Sequence, residues 1–179
     1  MGGLTRIKTI GLGALLVGSM TAGGLGVVMA QDAEIPAHPA HIHAGTCDDL
    51  DPNPKAPLSY VSVLQNEGDD PEANSPKGVL TADRVLLSVT EGVELSMEDI
   101  LAESHSINIH LSDQEIDTYI ACGEIGGVTV EGDLYVGLRD VNGSGYSGIA
   151  KLSEDGDSTN VEIYLTEPTD ESAPATPVA

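Results

Sequence analysis

Residues 133–166 read DLYVGLRDVNGSGYSGIAKLSEDGDSTNVEIYLT, and this stretch decides the fold class. From Asp133 to Asp140 the apolar residues Leu134, Val136 and Leu138 alternate with polar or small ones, the period-two pattern of a half-buried strand. Asn142-Gly143 follows, a strong tight-turn signal. Tyr146 to Ser153 is a second strand, and Glu154-Asp155-Gly156-Asp157 a second turn. Val161, Ile163 and Leu165 then alternate with Glu162 and Tyr164. Three strands joined by short turns predict an antiparallel meander with one wet face.

Upstream, Leu58 to Leu64 and Arg84 to Val89 are further β-rich runs, separated by the polar Gly/Pro/Asp stretch Asn66 to Lys77, read as a surface loop. Ser96 to Leu101 is expected to be a short helix. Ser96 and Asp99 form a capping box, with Met97, Ile100 and Leu101 on one face. Ser106 to Leu111 is a strand with Ile107 and Ile109 inward, and Ser112 to Glu115 suggests a second helical turn. Many short strands with Gly/Asp turns predict an all-β fold, an antiparallel Greek-key sandwich or barrel with one or two short helices.

Composition narrows the function. The 179 residues carry 29 acids against 7 Lys and Arg, a formal net charge of −22. No basic stripe exists to neutralise phosphates, which argues against nucleic acid as a partner and against docking on anionic lipid. With aromatics at 3%, the core must come from Val, Ile, Leu and Ala. Residues 1–30 read as a secretory signal peptide: Arg6 and Lys8, an apolar run from Ile10, and Val28-Met29-Ala30 before Gln31. Its removal would give a chain of net charge −24, secreted or extracytoplasmic, with no stable membrane association. Residues 31–166 are then the β-domain, and 167–179 an acidic, Pro-rich tail expected to be disordered. Nothing in the sequence specifies an oligomeric state.

An exported chain meets an oxidising compartment, so its two cysteines, Cys47 and Cys122, are expected to form a disulfide.

The five histidines carry the chemistry. Three stand together in His38-Pro39-Ala40-His41-Ile42-His43. On a strand, His41 and His43 share one face and Ile42 points the other way. His110 is the natural third imidazole, because Ile107 and Ile109 turn Asn108 and His110 to the opposite face. An imidazole-only set suits copper or zinc. His38 and His105 are the remaining imidazoles that could add a ligand. Ser104-His105 has no nucleophile elbow, and Asp48 to Asp51 and Asp155 to Asp157 lack calcium-loop spacing.

These motifs resemble the copper half of Cu/Zn superoxide dismutases. That family carries a Gly-Phe-His-Val-His-like strand followed by a disulfide cysteine, and Ala40-His41-Ile42-His43-Ala44-Gly45-Thr46-Cys47 is similar. A later Val-Val-His strand leads through an acidic loop to Arg-Leu-Ala-Cys-Gly-Val-Ile-Gly. Here Ile107-Asn108-Ile109-His110 leads through Asp113 to Asp117 into Tyr119-Ile120-Ala121-Cys122-Gly123-Glu124-Ile125-Gly126. The resemblance implies copper at His41, His43 and His110, with superoxide as substrate. Three departures stand beside it. Asp48 to Tyr60 holds no histidine, so no zinc is expected. Tyr119 takes the place of the family's anion-guiding arginine, leaving Arg84 or Arg139 as substitutes only if folding brings one to the site. The meander follows the His-x-His strand instead of preceding it, which implies a circular permutation. Chordin-type (CHRD) domains, which carry a similar Ala-His-Ile-His-Ala-Gly motif without established catalysis, are a more distant second resemblance. Both an oxidoreductase and a non-catalytic copper-binding or structural module therefore remain open at this level.

Overall fold

The computed structural model describes residues 36–66, 72–75, 77–79 and 81–168. The expected signal peptide, the centre of the 66–77 loop and the tail beyond Pro168 lie outside the described residues.

Alternating apolar residues close here into one barrel. Its strands are β1 (Ala37–Thr46), β2 (Asp49–Val63), β3 (Val85–Val93), β4 (His105–His110), β5 (Tyr119–Glu124), β6 (Asp133–Asp140), β7 (Ser147–Asp155) and β8 (Ser158–Thr166). Around the barrel they run β1-β2-β3-β8-β7-β6-β5-β4, and every neighbouring pair is antiparallel. The run β4-β1-β2-β3 is the Greek-key order, three sequential strands with the fourth returning beside the first. Closure removes the exposed edges that an open sheet would offer to other chains.

The expected meander is β6-β7-β8. Leu134, Val136 and Leu138 point inward beside Ala150, Leu152, Val161, Ile163 and Leu165, all buried. The β6–β7 turn places Asn142 and Gly143 at φ 58° and 68°, the left-handed region that this dipeptide adopts readily. From the other wall come Ala40, Ile42, Ile107 and Ile109, each at most 1% exposed. The core is aliphatic, as the composition requires.

Four details differ from the sequence reading. β2 starts at Asp49, nine residues before the apolar run, because its first half pairs only with β1. Pro52 and Pro54 lie in that half, beside register shifts in the β1–β2 pairing where proline is tolerated, and Pro57 follows opposite His41. Backbone pairing of β2 with β3 involves only Ser62 and Val63. Side-chain bonds extend the seam: Ser88 Oγ donates to the Ser59 carbonyl at 2.7 Å, and Thr90 Oγ1 accepts from the Ser59 amide at 2.8 Å.

Among the described residues the single helix is α1 (Met97–Ala102), capped by Ser96, whose Oγ accepts from the Asp99 amide at 3.1 Å. Met97 and Ile100 are buried but Leu101 is 44% exposed, so the buried face is narrower than expected. Ser112 to Glu115 forms a turn and no helix. At the C-terminal edge the fold runs one residue further than the pattern suggests: the Glu167 amide donates to the Arg84 carbonyl, and its carboxylate pairs with the Arg84 guanidinium.

Candidate metal centre

β1 sets the site by simple alternation. Its pairing with β4 is uninterrupted from Ala40↔Ile109 through His41↔Asn108, Ile42↔Ile107 and His43↔Ser106. Ile42 and Ile107 therefore enter the core together, while His41 and His43 stand on the outer face. His110 lies on that face of β4, two residues beyond the partner of His41. The outer face is not open to water here, since His43 is 1% and His110 3% exposed.

Two turns cover the imidazoles and fix their tautomers. The β1–β2 connection bends sharply at Gly45, whose φ is +98° and where a Cβ would sit 2.3 Å from the Asp49 carbonyl oxygen. That bend brings back Asp51, whose carbonyl accepts from His43 Nδ1 at 2.8 Å. The turn after β4 brings back Ile116, whose carbonyl accepts from His110 Nδ1. A ring that donates through Nδ1 has its Nε2 lone pair free. Backbone carbonyls thus hold two imidazoles as neutral Nε2 ligands, the outer-shell support that metal-bound histidines generally have.

The three ligand nitrogens converge. His41 Nδ1 lies 2.9 Å from His110 Nε2. One ligand nitrogen from each of His41, His43 and His110 lies within 4.8 Å of the other two. An ion about 2 Å from each nitrogen requires separations of no more than about 4 Å, so the widest must close by at most about 0.8 Å. His43 Nε2 is buried and has no hydrogen-bond partner; His38 Nε2 shares that state, but only His43 has two other imidazoles whose ligand nitrogens lie within 4.8 Å. A buried polar atom left unpaired is costly, and an ion at this point would satisfy it. Burial, then the neighbouring His110 and His43, holds the pKa of His41 down to about 4; burial likewise lowers that of His110. Both rings are accordingly neutral at physiological pH, the state a metal requires. The residues fit a metal ion held by three imidazoles, and among the described residues no other cluster of this kind occurs.

Neither His38 nor His105 joins this cluster. His105 Nδ1 donates to the Ile100 and Glu103 carbonyls at 2.9 and 3.3 Å, tying the end of α1 to β4. His38 Nδ1 donates to the Leu111 carbonyl at 2.8 Å, and its ring stands edge-on to Tyr146.

The expected disulfide is present. Cys47 and Cys122 are bonded with Cα atoms 5.9 Å apart, linking the β1–β2 turn to β5. Tyr119, in register with His110, places its ring centroid 4.9 Å from that of His110 and 6.4 Å from that of His43. Tyr119 thus forms a neutral aromatic wall of the site. Of the two arginines in question, Arg84 is held by Glu167 at the rim of β3, whereas Arg139 lines a cleft together with Tyr119.

The tautomer-setting carbonyls of Asp51 and Ile116 were not recognisable from side chains, because a backbone carbonyl leaves no mark on residue identity. Family models, curated proteins and solved structures give no match to this chain.

Among the described residues no helix is long and apolar enough to cross a membrane. The disulfide suits an oxidising compartment.

Proposed function

We propose that this chain is an exported, copper-only protein of the superoxide dismutase-like type, circularly permuted, with copper held by His41, His43 and His110. Several features support this reading together: the closed antiparallel barrel, the order of the His-x-His strand, third histidine and two cysteines, and the bond between those cysteines. The observation that carries it is the convergence of ligand nitrogens of His41, His43 and His110 within 4.8 Å of one another, with the His43 Nε2 buried and unpartnered. An imidazole set with no thiolate available selects copper or zinc. Copper is the choice here because the segment that carries the family's zinc ligands has no histidine. The leader-like residues 1–30 and the disulfide support export.

When bound, copper supplies one-electron chemistry between Cu(II) and Cu(I), suited to superoxide. The protein's own part is positional. β1 and β4 fix the three imidazoles, the Asp51 and Ile116 carbonyls hold two of them in one tautomer, and Tyr119 walls the site beside His110. His41, the least buried ligand, marks the side open to solvent. The position of the meander after β5, and so after the His-x-His strand β1, supports the permutation.

A second reading is a non-catalytic copper-binding module, or a CHRD-like structural one. One observation favours it: Tyr119 stands where a guiding cation would be expected. Superoxide decay separates the two. The dismutase reading predicts rapid consumption by the copper-loaded protein and none above background by the metal-free protein. Equal, slow decay in both would leave the binding module.

A further inference from the structure

A second buried imidazole nitrogen stands outside the three-histidine set. His38 is 4% exposed, and its Nε2 has no hydrogen-bond partner. Its Nδ1 donates to the Leu111 carbonyl at 2.8 Å, so in the neutral ring Nε2 is an acceptor. A buried acceptor left unpaired is costly and calls for a donor. Unlike His43, His38 belongs to no group of metal-ligating side chains among the described residues. Its ring neighbour is Tyr146, edge-on at 5.2 Å between centroids.

His38 lines a pocket of about 400 Å³ where β1 begins and β4 ends. Pro36, Ala37 and Leu111 give it apolar surface, and the turn after β4 gives it Asp113 and Glu115. Among the described residues no lysine or arginine lines it. Asp113 Oδ1 accepts from Tyr60 Oη at 2.8 Å, which fixes that carboxylate and leaves Oδ2 for a ligand. The pocket thus combines one buried acceptor, two carboxylates and a short apolar wall. A protonated aliphatic amine matches all three, with N–H donors for the acceptors, positive charge for the carboxylates and methylenes for the wall. A metal ion does not, since among the described residues only His41, His43 and His110 bring three ligand atoms together. Because Nε2 is covered, the amine reaches it as the outer wall shifts. That wall is the exposed turn at residues 112–115, whose Glu115 amide donates to the Ser112 carbonyl and Oγ at 3.2 and 3.1 Å. Those bonds lie within the turn and survive its movement as a unit.

We propose that this pocket binds a small protonated amine, which donates to His38 Nε2 and is held by the Asp113 and Glu115 carboxylates. The proposal rests on this end of the barrel alone, and stands whether or not the three histidines hold a metal.

The test uses the metal-free, disulfide-intact chain at about pH 8, above the ordinary imidazole range of about 6.5. It is titrated with 1,4-diaminobutane, against sodium chloride at matched ionic strength and against the uncharged 1,4-butanediol. The imidazole nitrogens are followed by long-range ¹H–¹⁵N NMR. The expected result is a saturable upfield shift of His38 Nε2, with a Kd of about 1 mM, accompanied by shifts at the Asp113 and Glu115 amides. The double variant Asp113→Asn/Glu115→Gln, altered only at exposed positions, weakens binding about fivefold or more. His38→Phe, which keeps a ring but removes the acceptor, abolishes it; should that variant fail to fold, the double variant still decides. Three results would each overturn the proposal. The first is a His38 Nε2 already hydrogen-bonded before titration and unmoved by the diamine, as a resident water would hold it. The second is a shift that the diol or salt reproduces. The third is a double variant that titrates like the parent.

Discussion

His41 Nδ1 and His110 Nε2 lie 2.9 Å apart, across two strands and 69 residues of sequence. That is close to the separation of two nitrogens bound at a right angle to one ion about 2 Å from each. Without the ion, the same distance is a hydrogen bond. His110 Nδ1 donates to the Ile116 carbonyl, so its Nε2 accepts and the proton between the rings sits on His41 Nδ1. Metal binding must therefore displace the proton from His41 Nδ1, whereas His43 and His110 are already in the binding tautomer.

His110→Ala removes one of the three candidate ligands and uncovers the Ile116 carbonyl. The expected effect is a loss of metal affinity of at least about 100-fold, measured by competition with a chelator of known strength. Because Ile107 and Ile109 keep β4 in the core, the variant should still fold. Affinity within about threefold of the parent would show that His110 does not ligate.

The pKa of His41 gives a pH dependence with a definite sign. It lies at about 4 in the folded chain against 6.5 for the free residue, chiefly through burial. Between these values the unfolded chain binds a proton that the folded chain does not, so acidification through this window favours unfolding. The His41 contribution is fully present above about pH 6.5 and lost progressively as the pH falls to about 4. Comparing the metal-free protein with His41→Gln by urea unfolding at pH 7 and pH 4.5 checks this. The parent should lose more stability than the variant over that interval.

Reduction of Cys47–Cys122 should act on both fold and site. The crosslink closes a loop of 75 residues, worth up to about 4 kcal/mol on the chain-entropy model. It also anchors the turn that returns the Asp51 carbonyl to His43. Cys47→Ser/Cys122→Ser should lower the thermal midpoint, and should weaken metal binding about tenfold by loosening the His43 ring. Unchanged metal affinity in a destabilised variant would confine the crosslink to a role in stability.

Gly45→Ala should be costly out of proportion to one methyl group. Its φ of +98° disfavours any side chain, and the added carbon would meet the Asp49 carbonyl and Leu50 Cα at 2.3 and 2.9 Å. A loss of about 2–4 kcal/mol is expected from denaturant unfolding. Gly156→Ala, at positive φ in an open turn with nothing within 4 Å, should cost clearly less.

The parts of this protein that sequence made legible are those governed by strict alternation. Leu134, Val136 and Leu138, or Ile42 between His41 and His43, declare their faces because a one-residue slip would expose the whole apolar set. The parts that escaped depend on distant partners. Pro52, Pro54 and Pro57 argue locally against a strand, yet β1 recruits that segment into β2. Leu101 fits the helix face by spacing, but the barrel wall covers only Met97 and Ile100. His105 carries no local sign that its ring nitrogen is taken up by the carbonyl of Ile100. Likewise, only the fold distinguishes Arg139, which reaches the cleft, from Arg84, which does not.

Whether the three imidazoles hold one copper ion is read directly by electron paramagnetic resonance of the Cu(II)-loaded protein. One copper per chain is expected, with superhyperfine coupling from three nitrogens, reduced to two in His110→Ala. A spectrum dominated by oxygen ligands, or one that His110→Ala leaves unchanged, would contradict it.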